Sequence, residues 1–161
     1  MHHFVYATKD AWISSGSNKS TTGVSETDQN YGQDEILELK KVFFNKSFDY
    51  PTRLLIQFDL TELSKSIRTG QIPLPEGSSG HAQYYLRLYE AEGNKELSTE
   101  YKLVAYALSQ SWDEGRGTFG SNPKVTDGVS WDNRFNRPSA TELTWSNDLG
   151  TQLHGGDNYL T

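Results

Sequence analysis

The run Arg53-Leu54-Leu55-Ile56-Gln57-Phe58-Asp59-Leu60-Thr61-Glu62-Leu63 restricts what this chain can fold into more than any other segment. Leu54, Ile56, Phe58 and Leu60 alternate with Arg53, Leu55, Gln57 and Asp59, and a period of two marks a half-buried strand. At its end, Asp59-x-x-Glu62 has the form of a capping box, and Leu60, Leu63 and Ile67 then keep helical spacing for about two turns. One fragment thus predicts a core strand, its inner face and its exit.

The rest of the chain repeats the first half of this pattern. Val5–Ile13 predicts a strand, Glu35–Val42 alternates, and His81–Tyr89 and Tyr101–Leu108 do so again. In His81–Tyr89, Ala82, Tyr84, Leu86 and Leu88 oppose Gln83, Tyr85, Arg87 and Tyr89. Ser14–Gly32 and Thr69–Gly80 are polar and aperiodic and predict long surface loops, with a turn region at Phe43–Pro51. After Ser109 the periodicity fades, although Trp112, Trp131 and Trp145 lie there. Short strands between long polar loops predict an all-β fold, an antiparallel jelly-roll-like β-sandwich with at most one short helix near Asp59–Ile67. With 161 residues and no repeat or linker, a single domain over 1–161 is expected. Apolar residues are only 34% of the chain and aromatics 12%, so rings must carry much of the core. The expected core is Leu54, Ile56, Phe58, Leu86, Leu88, Val104, Tyr106 and Trp112, with Arg53 a structural residue held by an acid such as Asp59 or Glu114.

Composition narrows the partners. A net charge of −6 argues against a nucleic-acid backbone and makes cations likelier ligands than anions. The absence of cysteine removes disulfides and thiolate metal sites. No signal peptide is visible, and no apolar stretch reaches membrane-spanning length, so no membrane partner is expected. Asn18-Lys19-Ser20 and Asn45-Lys46-Ser47 match glycosylation acceptors, read as chance matches without a secretion signal.

Motifs that could carry chemistry lack their context. Gly115-x-Gly117-x-x-Gly120 matches a dinucleotide fingerprint in letters, but Ser121-Asn122-Pro123 follows it where a helix is required. It reads as a glycine-rich turn. His2, His3, His81 and His154 stand at no zinc spacing. No Gly-x-Ser-x-Gly elbow supports a hydrolase triad. Asp113, Glu114, Asp127, Asp132, Asp148 and Asp157 read as solvated loop carboxylates. A glycosidase would need two such groups roughly 5–10 Å apart across a cleft. Calcium is the one cofactor they could hold, through oxygen ligands, and no Asp-x-Asp-x-Asp-Gly loop supports it. No catalytic or cofactor-binding residue is assigned. Tyr85, Tyr89, Trp131, Trp145 and Tyr159 are the candidate contact residues, for a protein interface or a glycan.

Asn30-Tyr31-Gly32, Asp34–Leu39, Thr52–Leu60, Ala82–Tyr89 and Trp112-Asp113-Glu114-Gly115-x-Gly117 together resemble the DNRLRE-type β-sandwich domain. Lys9-Asp10-Ala11-Trp12-Ile13, Trp131-Asp132-Asn133-Arg134, Thr144-Trp145 and Gly155-Gly156-Asp157 add a similarity to virion structural proteins of tailed, notably marine, bacteriophages. The resemblance implies a jelly-roll-like module found in extracellular proteins, some carbohydrate-binding, and in phage particles. It transfers no catalytic residue. Such domains continue past the Trp-rich part, so the expectation is a sandwich completed by residues beyond Thr161 or by a neighbouring subunit, with the C-terminal edge against another chain or before a further part of the protein. The leading expectation is therefore a non-enzymatic component of a bacteriophage virion. It would serve as capsid decoration, adaptor or tail module, contacting other virion proteins or copies of itself. The alternative is a carbohydrate-binding module recognising a surface glycan through exposed, coplanar rings. A polysaccharide lyase or hydrolase is the third class, and it needs converging carboxylates or a Tyr–His pair.

Overall fold

The computed structural model describes residues 3–16, 26–44, 47–72, 84–93, 102–137, 142–146 and 152–153. Their elements are β1 (Ala7–Ser14), β2 (Val42–Phe44), β3 (Ser47–Asp49), β4 (Thr52–Phe58), α1 (Thr61–Arg68), β5 (Asn133–Phe135), β6 (Leu143–Ser146) and β7 (Gln152–Leu153). β1 pairs with β4, β2 with β3, and β5, β6 and β7 follow one another in a third sheet. The ladders β2–β3, β5–β6 and β6–β7 are antiparallel. The protein is all-β with one short helix among the described residues, as the sequence predicts. The sheets described have two or three strands, and they do not by themselves draw a jelly roll. The chain divides into two compact units, Met1–Thr8 with Phe58–Leu103, and Lys9–Gln57 with Val104–Thr161.

The first unit holds α1, which has no buried residue. Its start departs from the expected capping box. Leu60 is the N-cap and makes no side-chain cap bond, while the Thr61 N–H donates to Asp59 Oδ1 at 2.9 Å. Hydrogen bonding by Thr61, through its side chain and then its backbone, keeps the Asp59 carboxyl below its ordinary value. Asp59 therefore satisfies an orphan helix N–H from one position before the cap.

The second unit holds the core. Ala11, Trp12, Ile13 and Ser14 at the end of β1 are all buried, so β1 is covered on both faces. Ala11 and Ile13 join Leu55, Trp112, Val129 and Trp145 in one cluster, with Leu108 and Trp131 packed against it. On the opposite side of the strand Trp12 stacks on Tyr31, ring centroids 3.8 Å apart and planes 17° from parallel. Three of the six cluster members come from segments without sequence periodicity, which is why the pattern did not disclose them.

Asn30 ties those irregular segments together. It is fully buried. Its Nδ2 donates to the carbonyls of Glu114 at 2.7 Å and Val129 at 2.8 Å. Its Oδ1 accepts from the N–H groups of Gly117 at 2.7 Å and Gly32 at 3.2 Å. Its own N–H donates to the Val125 carbonyl at 2.9 Å. The side-chain amide thus uses both donors and both acceptor sites, the condition for burying such a group. Glycines make the approach possible. A Cβ on Gly117 would collide with the Asn30 carbonyl, and one on Gly115 with the Asn30 amide. Gly115-x-Gly117 therefore serves close backbone packing, as a turn and not as a nucleotide loop.

Several sequence expectations are corrected. In β4 the buried residues are Thr52 and Leu55, which alternation puts on opposite faces, and Leu54 and Ile56 are only half-buried. Alternation says which residues share a face, not which face is inside, and the consecutive Leu54, Leu55 and Ile56 made both faces apolar. Phe58, Leu86, Leu88, Val104 and Tyr106 are exposed, leaving Trp112 the expected core residue that is buried. Residues 84–90 and 102–107 form no strand, and Leu108 makes one isolated bridge. Their pattern had no ladder partner among the described residues, and a strand exists only through its neighbour's hydrogen bonds. Residues 37–41 form no strand either, yet Lys40 and Thr52 are clipped together, Thr52 N–H to the Lys40 carbonyl at 2.9 Å and Lys40 N–H to Thr52 Oγ1 at 2.7 Å. The Phe43–Pro51 turn region contains the β2–β3 hairpin. Tyr159, the C-terminal edge, His2, His81, His154 and the acceptor motifs at Asn18 and Asn45 lie wholly or partly outside the described residues.

Asn30→Ala leaves two carbonyls and two N–H groups without their partner. We expect it to lower unfolding free energy by about 3–5 kcal/mol in urea titration. Gly117→Ala should also destabilise clearly. Gly120→Ala, whose Cβ would meet nothing within 4 Å, should stay within about 0.5 kcal/mol of the parent.

Candidate functional site

The segment Tyr84-Tyr85-Leu86-Arg87-Leu88-Tyr89 presents its apolar side chains to solvent. Tyr85 and Tyr89 are each 82% exposed and Tyr84 70%. Phe4 and Tyr6, in the same unit, are also largely exposed. Arg87 organises two of these rings. Its guanidinium lies 6.0 Å from the Phe4 ring centroid, and Nη1 donates to the Tyr89 hydroxyl at 3.5 Å. A consecutive run of exposed apolar residues costs solubility, which makes this segment a candidate contact surface. The rings suit it chemically, with an apolar face and, in tyrosine, a polar tip.

The other candidate residues are differently placed. Trp131 is half-buried, with the core on it and the Arg53 guanidinium 4.9 Å above its ring. Arg53 therefore packs on a ring at the edge of the core. Trp145 is fully buried, and its Nε1 donates to the Ser130 carbonyl at 3.0 Å. It presents no face to a ligand. The structure thus brings Tyr85 and Tyr89 onto one exposed segment and leaves Trp131 and Trp145 with the core. Sequence reasoning missed Phe4 and Arg87 as neighbours of the exposed tyrosines. The signal was an arginine set among rings.

Five of the described carboxylates, Asp28, Asp34, Asp113, Glu114 and Asp127, hold loops. Asp113 pairs with Arg137 at 2.8 Å, Asp127 with Arg116 at 2.7 Å, and Asp28 with Lys124 at 2.6 Å. Glu114 Oε1 accepts the Asp10 N–H at 2.9 Å. Asp34 bridges, accepting the Trp12 indole N–H at 2.7 Å on one oxygen and the Phe119 N–H at 2.9 Å on the other. Among the described residues, no group of three metal-ligating side chains converges.

Carbohydrate-binding module family 96 matches residues 2–140. The chain belongs to this family. The finding overturns the expected identity as a phage structural module and, with it, the expected role as capsid decoration, adaptor or tail component. It supports the alternative reading, carbohydrate binding. The matched span includes Phe4, Tyr6, Tyr85, Arg87, Tyr89, Asn30 and Phe119 of this family 96 module. No curated protein and no solved structure matches the chain.

Tyr31 adds a pH dependence to the module. Burial first, and then the negative charges of Glu26, Asp34, Glu38 and Asp28, push its phenol above the ordinary 10.0. The folded chain ionises it at higher pH than the unfolded chain. Its stabilising effect is therefore full below about pH 10 and is lost as pH rises above that. Tyr31→Phe keeps the stack on Trp12. It should change stability by no more than about 1 kcal/mol at neutral pH and flatten the loss of stability in urea titrations made above pH 10.

Proposed function

We propose that this module binds carbohydrate and performs no catalysis, and that the exposed segment 84–89 with Phe4 is its contact face. The observation that carries the reading is the exposure of Tyr85 and Tyr89 on one short segment of a family 96 module. Each ring can stack on the C–H face of a pyranose while its hydroxyl, or Arg87, bonds sugar oxygens. The engagement of Asp28, Asp34, Asp113, Glu114 and Asp127 by arginine, lysine, indole and backbone groups supports a binding role over a hydrolytic one.

Affinity electrophoresis and calorimetry against mixed-linkage β-glucan, xyloglucan, galactomannan and polygalacturonate test this. At least one polymer should bind, and its length should be unchanged after incubation. Tyr85→Ala combined with Tyr89→Ala should weaken binding tenfold or more, about 1.4 kcal/mol. The melting temperature should hold, because both rings are exposed. Wild-type protein that binds no polymer, or shortens one, contradicts the proposal.

A further inference from the structure

Asp127-Gly128 joins two residue types that rearrange readily without an enzyme, and the packing around Asn30 forces the pairing. Gly128 has φ +96°, and a Cβ there would collide with Gly115 Cα and crowd Asn30 Nδ2. The position leaves room for glycine alone. An Asp-Gly step is labile because the glycine nitrogen, unshielded by a side chain, can attack the preceding side-chain carboxyl. Three observations bear on that attack. The Gly128 N–H donates to the Asn136 carbonyl at 2.6 Å. Asp127 Oδ2 accepts from Arg116 Nε at 2.7 Å. Asp127 Oδ1 is buried, with no hydrogen-bond partner among the described residues. One guanidinium therefore fixes the carboxylate through one oxygen. The Arg116 side chain is itself 78% exposed, against 12% for Asp127. Arg137, a second cation that feels the Asp127 charge, is bonded to Asp113.

We infer that Asp127-Gly128 is a self-modification site, a step to isoaspartate held off by Arg116 and Asn136, and that its rearrangement opens the Asn30 clasp. In the first stage the Gly128 nitrogen bonds to Asp127 Cγ and one Cγ–O bond breaks. That oxygen leaves as water with the amide hydrogen and a proton from solvent, and a five-membered succinimide remains. Water then adds to the main-chain carbonyl carbon of Asp127, and its bond to the glycine nitrogen breaks. Glycine stays attached through Cγ, and the new carboxylate hangs from Cα. Nothing is oxidised or reduced, and the mass is unchanged. The folded geometry opposes the first stage twice. A nitrogen whose hydrogen is held by Asn136 cannot swing toward Cγ, and a charge-assisted bond to Arg116 holds back the oxygen that must leave. Isoaspartate, once formed, puts one extra carbon into the main chain between Val125 and Val129. Their carbonyls accept the Asn30 backbone N–H at 2.9 Å and the Asn30 Nδ2 at 2.8 Å. A lengthened chain cannot keep both in place, so the modified protein loses the clasp. Local opening of the Arg116 pair sets the rate.

The test follows isoaspartate in the full chain through prolonged incubation at physiological temperature. Peptide mapping with electron-transfer fragmentation, which separates aspartate from isoaspartate at equal mass, reads the site. Folded wild type should rearrange at least about tenfold more slowly than the same chain in urea, whose rate should match that of a synthetic Lys124–Trp131 peptide. Arg116→Ala should speed rearrangement of the folded chain at least about fivefold, and Arg116→Lys by less. Asp127→Glu, whose imide ring forms far more slowly, should give no rearranged product at this position. The isoaspartate-bearing fraction should melt several degrees below the parent. Folded wild type that rearranges as fast as the chain in urea overturns the guarded site, whatever Arg116→Ala does to folding. Arg116→Ala that stays folded and rearranges at the wild-type rate overturns the role of Arg116. An isoaspartate fraction with the parent's melting temperature overturns the link to the clasp. No polymer enters the assay, so these outcomes are independent of the carbohydrate-binding reading.

Discussion

The buried amide of Asn30 is the interaction on which the second unit depends. A side chain with two donors and two acceptor sites, all used, joins backbone groups of Gly32, Glu114, Gly117 and Val129. Those residues lie in loops with no periodic pattern, where backbone polar groups would otherwise have to face water or go unpaired. A single asparagine therefore does for these loops what a ladder does for strands. The glycines follow from it, since backbone must approach the amide more closely than any Cβ permits.

From this clasp the order spreads outward. Gly117 lies next to the Thr118–Ser121 turn, and Glu114 receives the N–H of Asp10 in β1. Asp113 accepts the Val129 N–H through its carbonyl and the Arg137 guanidinium through its carboxylate. β1 is thus flanked by a cluster of aliphatic and tryptophan side chains on one face and by the Trp12–Tyr31 stack on the other. Its burial on both sides is unusual for a strand of a two-stranded sheet, and the irregular loops make it possible. Rings compensate for the shortage of aliphatics. Trp112 and Trp145 fill the core, while Tyr84, Tyr85, Tyr89 and Phe119 face solvent.

Much of the fold class could be read from residue order. β1 and β4 stand where Val5–Ile13 and Arg53–Leu60 placed them, and α1 follows at the expected helical spacing. At His81–Tyr89 and Tyr101–Leu108 the period of two did not produce a strand over the described residues 84–90 and 102–107, because alternation assigns sides and a strand also needs a ladder partner. The inward face of β4 was misread because Leu54, Leu55 and Ile56 are interchangeable to a pattern argument. For the proposed contact face, the sequence named the rings of Tyr85 and Tyr89, and the structure leaves both exposed. Trp145 was not separable from them, since both residue types serve cores and surfaces.

Taken alone, the sequence determined an all-β chain with one short helix, a cysteine-free acidic composition and a core that had to recruit aromatics. These follow from local spacing and from amounts, which need no partner. Which rings are buried and which exposed was decided only by tertiary structure. So was the pairing of Arg53 with Trp131 and the role of Gly115-x-Gly117 around Asn30. Each depends on groups dozens of residues apart meeting within hydrogen-bond or van der Waals distance. No periodicity records such a meeting, because the loops that bring it about have none.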